Sequence, residues 1–369
     1  MRLGIREMRR QPGRFVAAVV LLALIATLLM VLGGLLDGLI RQATGAIEAQ
    51  RADLVVYSAT AERSLLRSRI TPEVRAQVAA VDGVERVGGL GVTQLAARVP
   101  GNGPRDLTDV AVFGYQIAPD GVPSPPAAGQ VYADRSLERD GVSEGDVLEV
   151  GPARSKLKVV GFVDDTSYSG AGALWAAPAT WRDVQNANRP ASAVGPGVFQ
   201  ALVVDSTGDA AAVARRIEHA TDGEVEAVSV SDAANAIGGV EQQRTVFNQI
   251  IGVTVVIAAI VVALFFALLT VERLAIYGML KAIGARSRTL FAGVVTQAAL
   301  VALLAAVIGG VVAFVLDVAL PPGTLPYELL VTRVVISTVA LEVAAIAGSA
   351  FSLRRVLRVD PASAIGRAT

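Results

Sequence analysis

Four long apolar runs limit what this chain can fold into: Phe15 to Leu36, about Ile250 to Val271, about Leu290 to Leu316 and about Val331 to Leu353. Each reaches the roughly 20 residues that a helix needs to cross a bilayer. In lipid every backbone N–H and C=O must pair within the segment, so a run of this kind crosses as a helix. The third run exceeds the minimum and is expected to tilt or project from the membrane. Hydrophobic residues make up 53% of the chain and charged residues 18%. The charged share lies below the roughly 25% of soluble domains, and the apolar excess is concentrated in these runs. A cleaved secretory signal is the competing reading of the first run, since Arg9, Arg10 and Arg14 precede it. The run is longer than the roughly 7–15 residues of a signal core, and no small-x-small cleavage site closes it.

Basic residues in the short flanks give an orientation. Arg2, Arg6, Arg9, Arg10 and Arg14 precede the first run. Arg273, Lys281, Arg286 and Arg288 lie between the second and third, and Arg354, Arg355, Arg358 and Arg367 follow the fourth. Between the third and fourth only Arg333 is basic, opposed by Asp317 and Glu328. All basic flanks share one side if both termini are cytoplasmic, which places residues 37–245 outside the cytoplasm. The expected protein is multi-pass in a bacterial plasma membrane.

Several function classes are excluded. There is no cysteine, so disulfides and thiol chemistry are absent. The single histidine, His219, rules out a multi-histidine metal site and reads as a solvated surface residue. Net charge is zero, which gives no footprint for nucleic acid. No Ser/His/Asp constellation is legible.

The long segment between the first two runs is large enough to bury its own core. Ala52 to Ala59, Val92 to Val99, Asp109 to Ile117, Asp146 to Val150, Lys156 to Val163, Val198 to Val204 and Glu224 to Val230 read as strands. Thr71-Pro72 opens one helix, which ends near Asp82-Gly83, and Asp209 to Ala220 forms another. The pattern predicts an α+β domain in which one subdomain is interrupted by another. Leu36, Ile40, Ala43 and Ile47 recur at helical spacing, as nearly do Ile237, Val240, Phe247 and Ile251. These stripes predict stalk helices packed on each other, with ordinary juxtamembrane packing as the alternative.

Three features invite a functional reading. In Glu272 to Arg288, Leu274, Tyr277, Leu280 and Ile283 or Gly284 share one helical face, and Glu272, Arg273, Lys281 and Arg286 are polar. A short amphipathic helix lying along the membrane surface would have this pattern, and so would an anchored connector. Glu342 stands in the middle of the fourth run, where a charge costs roughly 2.5–3.5 kcal/mol on insertion scales. It needs protonation or a partner such as Thr296, Gln297 or another subunit. Asp164-Asp165-Thr-Ser-Tyr168 has donors suited to a hard cation, although solvated acidic loops are commoner. Gly33-Gly34 and Gly309-Gly310 suit close helix packing.

Glu272-Arg273 followed by Leu280-Lys-Ala-Ile-Gly-Ala285 resembles the ER…LKAIGA signature of MacB/FtsX-like ABC transporter permeases. Asp360-Pro361-Ala-Ser-Ala364 is similar to the family's DPxxAL ending, with Ile365 in place of the usual leucine. Tyr132 to Asp165 resembles the family's periplasmic core domain, and Leu3 to Phe15 its entry helix. The resemblance implies four transmembrane helices with a large α+β extracytoplasmic domain inserted between helices 1 and 2. Its divisions are 1–36, 37–245 and 246–369, with a cytoplasmic coupling loop at 272–289. It implies ATPase coupling through Glu272, Arg273, Leu280, Lys281, Gly284 and Ala285, and a cytoplasmic contact at Asp360 and Pro361.

The chain has no G-x4-G-K-[ST] phosphate cradle, so ATP and Mg belong to a partner ATPase, as in a DevC/LolC-like arrangement. The chain itself is expected to bind no cofactor and to be a non-catalytic membrane subunit. A second permease subunit, identical or different, is expected, with an extracytoplasmic adaptor or substrate protein as a further candidate partner. The implied work is export or extraction of a lipid, lipoprotein or small hydrophobic molecule. An FtsX-like transducer that regulates a cell-wall hydrolase is the rival. The topology is checked with protease added to intact spheroplasts: cleavage is expected within residues 37–245, while the Lys281 segment stays intact.

Overall fold

The computed structural model describes residues 12–103, 105–272, 279, 287–319 and 325–356. Two compact units result, a sheet domain of residues 39–243 and a helical unit built from the chain on either side of it.

The helical unit contains most of α1 (Pro12–Glu48) and α6 (Val240–Glu272), with all of α7 (Ser287–Ala319) and α8 (Val331–Val356). Each of the four is long and apolar enough to cross a membrane. At 1.5 Å per residue the 33 residues of α7 extend for about 50 Å, more than the hydrocarbon thickness. The interhelical core is made largely of small side chains, among them Ala26, Ala258, Ala298, Ala302, Ala305 and Ala345. Lipid gives helices no hydrophobic reason to associate, so close backbone approach and dispersion have to do it. Gly309 shows the limit, because a Cβ there would lie 2.7 Å from the Cβ of Ala26. Gly348 is equally confined by the Ala259 carbonyl. Leu24, Leu264, Phe314 and Val343 point outward and are exposed. The hydroxyls of Thr27, Thr254, Thr270 and Thr338 each donate to the carbonyl four residues earlier, which satisfies them without a second helix.

The sheet domain holds nine strands: β1 (Leu54–Ser58), β2 (Val84–Arg98), β3 (Leu107–Tyr115), β4 (Gln130–Asp134), β5 (Val147–Val150), β6 (Ser155–Val163), β7 (Gly172–Ala176), β8 (Ala201–Ser206) and β9 (Val225–Ser229). Among the described residues, five α-helices begin between the end of α1 and the end of the sheet domain. They are α2 (Pro72–Ala79), α3 (Pro178–Asn188), α4 (Ala210–Ala220), α5 (Val230–Asn235) and the start of α6. The strand order is β3-β7-β4-β6-β5-β2-β8-β1-β9, and β3 also pairs with β2. That extra pairing closes β2 to β7 into a ring, from which β8, β1 and β9 continue as an open sheet.

The expected interruption of one subdomain by another is present in the connectivity. The strand–helix–strand units β1-α2-β2 and β8-α4-β9 interleave as a split βαβ pair. They do not form two separate bodies, because β2 belongs to both parts. Its residues 84–90 pair with β8, and residues 90–98 pair with β3. Gln200 marks the fork, where its side-chain carbonyl accepts from Val92 N in place of a neighbouring strand.

Local signals explain the helices. Thr71 Oγ1 accepts from Val74 N with Pro72 at the first helical position, and Asp209 caps α4 through Ala211 N. The sheet's open edge, β9, is blunted by Glu218, whose carboxylate accepts from Ala227 N at 3.2 Å.

Trp181 of α3 lies over a gap made by two glycines that face each other across β2 and β3, Gly91 and Gly114. It is fully buried, and its indole N–H donates to Thr93 Oγ1 at 3.1 Å. Trp181→Ala should therefore cost about 3–5 kcal/mol. Gly91→Val should destabilise the fold by the opposite error, since its side chain needs the space of the ring. Denaturant unfolding of the detergent-solubilised chain checks both, with Trp175 as the remaining fluorophore in the first variant.

Candidate coupling site

The expected ATPase-facing segment lies between α6 and α7. Glu272 closes α6 and is exposed, and Met279 beyond it is 70% exposed. Arg273, Leu280, Lys281, Gly284 and Ala285 lie outside the described residues, as do Asp360 and Pro361. Glu342 is half-buried in α8 and accepts no hydrogen bond from any described residue. Thr296, one of its expected partners, donates to the Ala292 carbonyl of its own helix at 2.7 Å. His219 is exposed in the last turn of α4.

A second site, not read from the sequence, is where the last turns of α1 enter the sheet domain. Ala46 N donates to the Ser167 carbonyl at 3.0 Å. Ser169 N donates to Ala43 O at 2.9 Å, and Gly170 N to Gln42 O at 3.0 Å. Asp120 N donates to Ala49 O at 2.6 Å. Main-chain bonding of this density between a helix and a loop requires the two backbones to touch. Gly45 allows it, since any Cβ there would strike the Asp165 carbonyl. Ala46 and Ile47 are fully buried in the same cluster as Tyr57, Phe113 and Trp175, with Ile237 packed against it. The apolar stripe of α1 thus ends in the domain's own core. On α6, Val246, Ile250 and Val253 are exposed.

The loop that grips α1 is itself held from below. Asp134, at the end of β4, is buried, and its carboxylate accepts four hydrogen bonds. They come from Ser136 N at 2.9 Å, Thr166 N at 2.7 Å, Thr166 Oγ1 at 2.8 Å and Ser167 Oγ at 3.2 Å. Tyr168 packs edge-on against Phe113 with ring centroids 5.4 Å apart. Burial pushes its hydroxyl up to about 12.

The cation reading of Asp164 to Tyr168 is not what the donors do. Asp164 pairs with Arg135 at 2.5 Å and holds that guanidinium above its ordinary value. Asp165 pairs with Arg41 at 3.4 Å, and the Thr166 and Ser167 hydroxyls are committed to Asp134. Just past the end of α1, Arg51 hydrogen-bonds Asp120 and keeps its carboxyl below the usual range.

Residues 248–361 match the FtsX-like permease C-terminal family. An ABC transporter permease of Mycobacterium tuberculosis is 29% identical over 378 aligned residues, which cover 98% of each chain. A Staphylococcus epidermidis protein named as the hemin transport system permease HrtB is 21% identical and is covered over 99% of each chain. Among solved structures, the periplasmic region of MacB from Actinobacillus actinomycetemcomitans superposes with a TM-score of 0.34 at 9% identity. That match covers 52% of this chain and 94% of the other.

Because contact at Gly45 depends on the missing side chain, Gly45→Leu is expected to release the loop without unfolding the sheet. Hydrogen exchange should accelerate at residues 166–170 while β1, β8 and β9 stay protected. Asp134→Ala, which strands four donors, should cost about 1–3 kcal/mol and release the same residues.

Proposed function

From the premise that this chain is an ABC transporter permease of the FtsX-like type, a non-catalytic multi-pass membrane subunit, we propose how it uses the ATP hydrolysed by its partner. The ATPase docks on the segment from Glu272 to Arg288, with Leu280 as the apolar contact and Arg273 and Lys281 as the charged ones. Asp360 and Pro361 make a further contact on that side. Both termini face the cytoplasm, and residues 39–243 stand outside it. Closure of two ATPase subunits displaces the helices, and α1 conveys the displacement into the sheet domain through its last turns. Two copies of the permease, or this chain and a related one, work together.

One observation carries this reading. A single continuous helix, α1, supplies residues to both compact units, and its last turns are bonded to the sheet domain through main-chain atoms. On this reading a displacement of the last turns of α1 is delivered to the loop at residues 165–170 through those bonds. The described spans carry few polar groups, which favours work at the membrane surface over a hydrated channel. We propose that the cargo is a small hydrophobic molecule or lipid taken from the membrane. The similarity to a permease named for hemin transport makes hemin the first probe.

The test uses liposomes that contain the permease and its cognate ATPase, preloaded with hemin or a fluorescent phospholipid. ATP is expected to drive release to an acceptor outside the membrane. Leu280→Asp should insert normally yet lose permease-stimulated ATP hydrolysis and release. Stimulated hydrolysis with no cargo leaving would favour the transducer that regulates a cell-wall hydrolase.

A further inference from the structure

Within the helical unit, Asp37 of α1 and Arg333 of α8 form a two-pronged ion pair. Arg333 Nε donates to Asp37 Oδ2 at 2.9 Å, and Nη2 donates to Oδ1 at 2.5 Å. The side chains are only 13% and 20% exposed. Such forked guanidinium–carboxylate pairs fix orientation as well as charge.

Position makes this pair unusual. Arg333 is the third residue of α8, close to the positive end of the helix dipole, where acidic residues are favoured and basic ones are not. A helix start gives an arginine no reason to be there, whereas a carboxylate on the neighbouring helix does. The pair also explains the one basic residue in a flank that otherwise carries none. It enters as half of a neutral couple.

The surrounding backbone is shaped to bring the two together. Gly33 and Gly34 lie one turn before Asp37 and Gly38, so the two adjacent pairs share one side of α1. A Cβ on Gly33 would strike the Arg333 side chain. One on Gly34 would come 2.5 Å from the Tyr327 ring, and one on Gly38 would meet the Pro326 carbonyl. Glu328 N donates to Gly34 O at 3.1 Å, and the Tyr327 hydroxyl donates to Ala313 O of α7 at 3.2 Å. The segment 325–333 thus straps α1 and α7 at the point where α8 begins.

We infer that Asp37 and Arg333 are positioning residues whose ion pair ties α1 to the head of α8 throughout the transport cycle, so that the helices move α1 as a group. The inference rests on the proposed role of α1. Without the tie, α1 slides against its neighbours, and the ATPase still binds but its cycle is no longer stimulated.

The test uses the full chain with its ATPase in nanodiscs, measuring complex assembly and permease-stimulated hydrolysis per assembled complex. Asp37→Asn and Arg333→Gln should each assemble and lose about tenfold in stimulation. The exchanged pair, Asp37→Arg with Arg333→Asp, should recover to within about threefold of the native rate. Since the chain has no cysteine, Asp37→Cys with Arg333→Cys can be joined by a short cross-linker. The cross-linked complex is expected to retain stimulation. Full stimulation in the assembled single variants, or its loss on cross-linking, would overturn the tie. A role in stability alone would lower the yield of complex and leave hydrolysis per complex unchanged, which also overturns it. Leu280→Asp serves as a separate control. If it keeps full stimulation while Asp37→Asn loses it, the docking segment is misassigned and the tie stands.

Discussion

A polypeptide inside a bilayer has no water to satisfy its backbone, and this requirement shapes the rest of the molecule. It makes each span a helix, and a helix is stiff along its axis because every residue is bonded to the turn before it. In lipid the same helices lack a hydrophobic reason to associate, so they pack through alanines and glycines at short range. The result is a unit whose parts are individually rigid and held together by fit. Ala26 against Gly309 and Ala259 against Gly348 are contacts of that kind. Polar ties such as Asp37 with Arg333 then determine which helices move together, since small apolar surfaces permit sliding that a forked ion pair does not.

The sheet domain solves a different problem. An open sheet of nine strands would expose two edges, and edges invite pairing with other chains. Here one edge is removed by closing β3 onto β2, and the other is shortened to five residues and capped by Glu218. The closure requires β2 to be long, because one half serves the ring and the other half serves the open sheet. Sharing a strand couples the two parts mechanically, so that a load applied at the Asp134 end of β4 is carried into the whole sheet.

Much of this was legible in the chain. Apolar length gave the four helices, and the Thr71-Pro72 and Asp209 caps gave two helices of the sheet domain. Alternating strands such as Ser155–Val163 stood out by their period. What was missed has physical causes. Gly172–Ala176 is buried at every position, so it lacks the alternation that marks a half-buried strand. Gln130–Asp134 is short and follows a Pro/Gly-rich stretch. α3 is polar over much of its length and is made a helix by packing Trp181 onto β2 and β3, a tertiary effect. The grip on α1 could not be read at all, because it is built from main-chain donors and a glycine. The ion pair of Asp37 with Arg333 joins residues 296 apart in sequence, and only Arg333's solitary place in its flank hinted at a partner.

The loop from Asp164 to Gly170 shows why an acidic sequence can be mistaken for a ligand site. Asp165 and Ser169 adopt left-handed backbone angles, φ 55° and 50°, which side chains other than glycine rarely accept. Strain of this kind costs on the order of 1–3 kcal/mol per residue and persists only where the surroundings over-determine it. Here the four donors on Asp134 and the arginines facing Asp164 and Asp165 do so. A loop made to bind an ion keeps its carboxylates available and its backbone adaptable. This one has its charges paired and its carbonyl and amides directed at α1, the arrangement expected of a joint that must not yield when the helix moves.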